Sequence, residues 1–296
     1  MSKIDAEILF NPRTYQKDAD FETFLKKSNT FNRHKLFQSS GTSGLPKWVA
    51  LSQGALEASA ESINKHHQVT KNDVFALALP LFHVGGYGVF ERARISGARL
   101  VSYQDEHIKW SPHDFEAWIR KEKATITSLV VAQLYDLIKA EFKSPPSLRL
   151  LVLGGGSVPH ELYLKARELG WPCLITYGLT EVASQVASST LESLKTIEFP
   201  KALLLSHIEI MKSEAEDCWI KSPSLLSSYI IKNKAGWHSS YPKVDESFLL
   251  PDRVFVASQD NSLQQIEVRG RREETYKVLG EWIRWPQIKT CFTIFL

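Results

Sequence analysis

Apolar runs that stop at glycine-rich or polar turns constrain this chain more than any other feature. Asp73 to Leu79, Arg149 to Leu153 and Cys173 to Tyr177 are nearly continuous in apolar residues. A strand with one face in water alternates apolar and polar positions, whereas an uninterrupted run suits a sheet covered on both faces. Ala98 to Tyr103 reads as another strand, and Ile126 to Val131 is a further apolar run. Helical stretches stand between them: Gly54–His66 with Ser52 as its cap, Ser111–Lys121 with Pro112 in its first turn, Gln133–Phe142, and Pro159–Leu169. This alternation predicts an α/β fold whose largely parallel sheet is layered with helices.

The places where the runs stop bear on function, because ligands of such sheets bind outside the carboxyl ends of the strands. One end is Ser39-Ser40-Gly41-Thr42-Ser43-Gly44-Leu45-Pro46-Lys47, between the strand His34–Gln38 and the returning strand Trp48–Leu51. Glycine lets backbone approach a ligand closely, and successive N–H groups of such a turn form an anion nest. The Thr42 and Ser43 hydroxyls add donors and Lys47 a full positive charge, so a polyphosphate is the expected ligand. The spacing is not that of a Walker A loop, since Trp48 follows Lys47. The plain alternative for the stretch is a flexible Ser/Gly linker. The second end, Pro80-Leu81-Phe82-His83-Val84-Gly85-Gly86-Tyr87-Gly88, sets a histidine before a glycine-rich turn; it either lines a pocket or is an ordinary satisfied histidine. The third is Gly154-Gly155-Gly156-Ser157 and the fourth Gly178-Leu179-Thr180-Glu181.

Bulk properties narrow the class. The 296 residues, 43% of them hydrophobic, allow a sizeable core in one large domain or two smaller ones. The net charge of +3 is spread along the chain, which argues against a nucleic-acid partner. No segment has the character of a signal peptide or a membrane span. Cys173, Cys218 and Cys291 are too far apart for metal-ligand spacing and odd in number, which fits a cytoplasmic location. In residues 1–34, Phe21, Phe24 and Leu25 form one face of a short helix and no chemistry is evident. From about residue 200 short alternating runs such as His207–Ile210 and Cys218–Lys221 predict a smaller β-rich subdomain.

Together and in this order, these stretches resemble the adenylate-forming acyl-CoA ligases. SSGTSGLPK is similar to that family's phosphate loop, LPLFHVGGYG to its histidine motif, Gly154-Gly155-Gly156 to the segment against which adenine packs, and YGLTEVAS to its Tyr-Gly-x-Thr-Glu motif. GRREETYKVLGE is similar to the family's hinge. The resemblance covers roughly residues 36–283. Within the family, LPLFHVGGYGVFERARISGARLV and the stretch from Leu151 to Ser184 most resemble members that activate o-succinylbenzoate in menaquinone biosynthesis.

The resemblance implies an ATP-dependent carboxylic acid–CoA ligase working through an acyl-adenylate. ATP, Mg²⁺ and coenzyme A would be its cofactor and co-substrates, and a small carboxylic acid its substrate. Ser39, Ser40, Gly41, Thr42, Ser43, Gly44 and Lys47 would cradle phosphates, and Glu181 would hold Mg²⁺. Thr180 would contact the α-phosphate, and Tyr177 with Gly178 and Gly154–Gly156 would seat the adenine. Asp252 would hold the ribose hydroxyls, and Arg271 ribose or phosphate. His83, with Gly85 and Gly86, would line the acyl pocket. Residues 1–199 would then be the α/β nucleotide- and acyl-binding core, 200–269 the β-rich subdomain, and 270–296 the hinge and the start of a shortened C-terminal domain. Four features depart from the pattern. Leu250 stands two before Asp252 where the family has a threonine, and Ser128–Gln133 lacks the family's Pro-Thr. Only residues 1–38 precede the phosphate loop, and the family's mobile C-terminal domain, with its adenylation lysine, would continue well past Gly280-Glu281. Two alternatives therefore stand beside this reading: a ligase for another aryl or acyl acid, and a non-catalytic acyl-adenylate- or nucleotide-binding module.

Overall fold

The computed structural model describes residues 6–13, 15, 17–39, 47–106, 109–212, 217–258, 264–271, 275–278 and 281–284. In chain order the first elements are β1 (Glu7–Leu9), α1 (Ala19–Lys27), β2 (His34–Ser39), β3 (Lys47–Ser52), α2 (Gln53–His66), β4 (Val74–Leu77), α3 (Val84–Ser96) and β5 (Arg99–Ser102). There follow α4 (Tyr103–Glu106), α5 (Pro112–Lys121), β6 (Ile126–Val130), α6 (Val131–Lys139), β7 (Leu150–Gly154), α7 (His160–Glu168) and β8 (Cys173–Leu179). The helix starts have local causes. The Ser52 hydroxyl accepts from the Ala55 N–H at 3.1 Å to open α2, and the Ser111 hydroxyl accepts from the Asp114 N–H at 3.2 Å to open α5.

Strands β5, β4, β6, β7 and β8 are mutually parallel and form one half of a nine-stranded sheet. Its continuous apolar runs are explained by burial on both faces. Ala76, Leu151, Leu153 and Cys173 pack with Phe115, Trp118, Leu134 and Tyr163 of the helices α5, α6 and α7. Their neighbours Phe75, Leu77, Leu150 and Leu174 turn the other way and pack with Val89 and Ala93 of α3. One step along the strand reverses the face, so both sets must be apolar.

The second half of that sheet is antiparallel. β9 (Ser184–Ser188), β10 (Ala202–Leu204), β18 (Gln264–Arg271) and β17 (Asp252–Ser258) extend it outward from β8 in that spatial order. The remaining strands are β11 (Glu209–Lys212), β12 (Cys218–Lys221), β13 (Ser228–Asn233), β14 (Gly236–Ser240), β15 (Lys243–Val244), β16 (Ser247–Leu249), β19 (Thr275–Val278) and β20 (Glu281–Arg284). The strand-rich segment beyond residue 200 is thus shared out. β10, β17 and β18 join the nine-stranded sheet, β11, β12, β15 and β16 form a four-stranded one, and β13 and β14 join β1, β2 and β3 in a five-stranded one.

The β2–β3 hairpin, which carries the glycine- and serine-rich turn, therefore belongs to the five-stranded sheet rather than to the parallel one. Its side chains alternate between two cores. Phe37, Val49 and Leu51 face inward with Leu56, Val182 and Leu226, while Leu36, Trp48 and Ala50 pack under α1 with Phe21 and Leu25. The N-terminal helix, without evident chemistry in the sequence, covers the outer face of this sheet. Among the described residues, no helix is long and apolar enough to cross a membrane.

Candidate functional site

Two sheets bring their strand ends together at Lys47 and Glu181. Lys47 opens β3 directly opposite Ser39 on β2, and β13 flanks β3 on its other side with Tyr229 opposite Val49 and Ile231 opposite Lys47. This register puts Lys47, Val49 and Tyr229 on one face. Glu181 stands in the 3-10 turn Thr180–Val182 that follows β8. The Leu226 N–H donates to the Glu181 carbonyl at 2.8 Å, tying this turn to the segment that leads into β13. Lys47 Nζ donates to Glu181 Oε1 at 3.3 Å, and the Tyr229 hydroxyl donates to the same oxygen at 2.9 Å. The ammonium also lies 3.8 Å from the centroid of the Tyr229 ring. Both members of the ion pair are largely shielded from solvent, with side-chain exposures of 26% and 14%.

The backbone around Glu181 is unusual. The ladder between β8 and β9 shifts register at Tyr177 and Gly178, and a Cβ on Gly178 would collide with the Ser184 carbonyl. Only glycine fits there. Ala183 and Ser184 both have positive φ, 50° and 108°. Non-glycine residues in such conformations cost on the order of 1–3 kcal/mol each and concentrate where a site must be shaped. The Ala183 carbonyl is held by the Ser59 hydroxyl at 2.9 Å.

Beside this turn, the Tyr177 hydroxyl donates to Asp252 Oδ2 at 2.7 Å, which joins the last residues of β8 to the start of β17. Asp252 is buried. Gly154 ends β7 at the adjacent carboxyl end, and Gly155 and Gly156, which follow it, are exposed. Gly154 lies against Thr176, whose hydroxyl donates to the Leu153 carbonyl at 2.8 Å. Thr180 is half-buried in the Glu181 turn.

His83 is the N-cap of α3, and its exposed ring packs on Phe82 with centroids 4.6 Å apart. Gly86 is fixed by packing, since a Cβ there would run into the Pro80 carbonyl, whereas Gly85 has ordinary room. One turn on, a Cβ on Gly88 would meet the Ser184 side chain at 3.5 Å, so α3 packs against the start of β9, just past the Glu181 turn. Of the sequence-derived residues, Ser40, Gly41, Thr42, Ser43 and Gly44 lie outside the described residues, as does the side chain of Arg271, whose backbone ends β18.

Two groups carry more than the motifs indicated: Tyr229, and Arg92, which the sequence offers either as a polar-pocket partner of His83 for a dicarboxylic acid or, the reading it favours, as a surface arginine of a helix. Tyr229 meets both Lys47 and Glu181; it sits in a short alternating strand, with no local signal to mark it. Arg92, four residues after Gly88 on α3, is 2% exposed. Its Nε donates to the Gly88 carbonyl at 3.0 Å and its Nη2 to the Ser128 hydroxyl at 3.1 Å. Its Nη1 is buried with no hydrogen-bond partner among the described residues. Burial pulls its pKa down to about 10, and it still carries its charge at neutral pH. The surroundings are poorly solvated: His67, also buried, has its pKa pushed well down by burial and then by the charge of Arg92. A guanidinium held this way suits a carboxylate.

The donor set also fits a magnesium ion. Among the described residues, no cluster of three or more His, Cys, Asp or Glu could hold a metal. A metal at Glu181 would thus rely on one carboxylate and on oxygens of its ligand, which is how Mg²⁺ binds with phosphates.

Residues 36–216 match the family model described as AMP-binding enzyme. The chain belongs to the AMP-binding enzyme family. Relatives in this family include 2-succinylbenzoate–CoA ligase of Bacillus subtilis, 28% identical over 81% of this chain and 50% of the relative. The enzyme of the same description from Bacillus velezensis is 31% identical over 75% and 47%. That of Escherichia coli is 31% identical over 68% and 43%. The fold agrees. O-succinylbenzoate CoA synthetase of B. subtilis, bound with its product analogue OSB-NCoA, superposes with a TM-score of 0.70 at 26% identity over 86% of this chain and 53% of that one. The B. subtilis enzyme in complex with ATP and magnesium gives 0.68 at 26% identity over 87% and 54%. The chain spans about half the length of the family members it matches.

Proposed function

We propose that this chain forms the nucleotide- and acyl-binding part of a cytoplasmic AMP-forming carboxylic acid–CoA ligase, with o-succinylbenzoate as the acid. The meeting of Lys47 and Glu181 at the end of β8, beside Tyr177 and Asp252, carries the reading. In the reaction, a substrate carboxylate oxygen attacks the α-phosphorus of ATP and pyrophosphate leaves. The sulfur of coenzyme A then attacks the acyl carbonyl, AMP leaves, and the thioester remains. The first step crowds negative charge, so positioning and electrostatics dominate. Lys47 would hold the β- and γ-phosphates, together with the loop residues Ser39 to Gly44. Bound Mg²⁺ would screen phosphate charge, held to the protein by Glu181. Thr180 would contact the α-phosphate, Tyr177 and the glycines 154–156 would flank the adenine, and Asp252 and Arg271 would accept and position the ribose. His83 would stand at the entrance of the acyl pocket.

Arg92 supports the choice of acid. A fatty acid offers nothing to a buried guanidinium, whereas o-succinylbenzoate has a second carboxylate beyond the one that is activated. The names of the relatives point the same way.

Calorimetry with AMP and with a non-hydrolysable o-succinylbenzoyl-adenylate analogue tests this. The analogue is expected to bind more tightly than AMP. Arg92→Met is expected to weaken the analogue by ~10–100-fold, the equivalent of losing one hydrogen-bonded charge contact, and to leave AMP affinity intact. An analogue that binds no better than AMP, or that is indifferent to Arg92→Met, would contradict the assigned acid. Adding ATP, coenzyme A and o-succinylbenzoate and following AMP release then separates a ligase from a binding module.

A further inference from the structure

Glu181 Oε1 accepts two hydrogen bonds, and Tyr229 is concerned with both donors: its hydroxyl is one of them and its ring carries the other, Lys47. We propose that Tyr229 is a positioning residue of the nucleotide site, its hydroxyl aiming the Glu181 carboxylate and its ring holding the Lys47 ammonium before the triphosphate arrives. This rests on the ligase reading above.

A half-buried carboxylate left without a cation is costly, and Lys47 supplies that cation in the nucleotide-free protein. With a metal–triphosphate bound, Glu181 would hold the metal in place of Lys47. Lys47 would then be free to meet the phosphates. Charge at Glu181 stays compensated in both states, and no unpaired ion is buried during the exchange. Tyr229 stays in place throughout. It is anchored in β13, with its backbone opposite Val49 and its ring against the inner core. The hydroxyl bond keeps the carboxylate from following the departing ammonium. A phenylalanine would keep the ring and the packing and lose only that bond, which makes the two roles separable.

The test compares wild type with Tyr229→Phe and Tyr229→Leu by nucleotide affinity and by the environment of Lys47. Calorimetry gives the affinity for ATP with Mg²⁺ and with EDTA, and for AMP; thermal melts report folding. In Tyr229→Phe the gain in ATP affinity from Mg²⁺ is expected to shrink ~10-fold, the loss of one hydrogen bond to a charged group, with AMP affinity unchanged. Reductive ¹³C-methylation of lysines, with Lys47→Arg to assign the signal, reads the resting contact without nucleotide. The Lys47 methyl signal is expected upfield in wild type and in Tyr229→Phe, where the ring shields it. It should move to an ordinary position in Tyr229→Leu and on adding Mg²⁺ and ATP to wild type. A full Mg²⁺ gain retained in Tyr229→Phe, or a Lys47 signal indifferent to Tyr229→Leu, would overturn the assignment while leaving the ligase reading standing. Wild-type protein that binds no ATP at all would instead sink the ligase reading, and the role of Tyr229 with it.

Discussion

Gly178 sits where β8 bulges against β9, and its missing side chain is a space already filled by the Ser184 carbonyl. Gly85, in the first turn of α3, has only Leu79 Cδ1 near its hypothetical Cβ, at 3.6 Å. The two positions predict opposite results for the same substitution. Gly178→Ala should destabilise by ~1–3 kcal/mol, because backbone must shift to admit the methyl. Gly85→Ala should be neutral or stabilise by a few tenths to ~1 kcal/mol, since alanine restricts the unfolded chain and suits a helix. Urea melts of both variants decide it; a Gly178→Ala protein as stable as wild type would mean that the bulge tolerates a side chain. At this scale the sequence marks single residues better than it marks their partners. Lys47 and Glu181 were legible as members of two glycine-bearing turns at strand ends. Tyr229 was not, because its role comes from cross-strand register with β3, and nothing within its own strand records that pairing.

Among the elements, β4 shows how a polar group can fix a strand end. Asp73, just before β4, receives Arg149 Nε at 2.7 Å and Nη2 at 2.8 Å, the Thr125 hydroxyl at 2.7 Å and the Thr70 N–H at 2.8 Å. It thereby clamps the N-terminal ends of β4, β6 and β7. Burial by itself would raise its pKa, but the bonds from Arg149, Thr70 and Thr125 outweigh it and bring the value down to about 2. The unfolded chain therefore binds this proton more readily, so the stabilisation is complete above about pH 4 and is lost as pH falls toward 2. Asp73→Asn should cost about 2 kcal/mol at neutral pH and flatten the acid limb of the stability curve between pH 4 and 2. An acid limb as steep in the variant as in wild type would move the effect elsewhere. The elements themselves were largely readable. Doubly buried strands announced themselves by continuous apolar runs, and α2 and α5 by the serines that cap them. β8 runs two residues further than its apolar run, through Gly178 and Leu179, because β9 pairs with it there.

On the scale of the whole molecule, the nine-stranded and five-stranded sheets share one core, and the candidate site lies where their strand ends meet. The mixed layout was only half legible. Parallel strands joined by helices follow from the βα alternation, and that half was expected. The antiparallel half, and the division of the strands after residue 200 among four sheets, depends on pairings such as β13 with β3 and β18 with β10, between residues far apart in sequence. Short alternating strands fit many partners, and only the assembled core selects among them. The central claim is that a triphosphate lies between Lys47 and Glu181 at the end of β8. The most direct test is a crystal structure of this chain grown with ATP and Mg²⁺. It should show Lys47 parted from Glu181 and ~2.7–3.2 Å from a phosphate oxygen, with the metal on the Glu181 carboxylate and the ribose at Asp252. Nucleotide bound with the Lys47–Glu181 pair intact, or bound away from both residues, would contradict it.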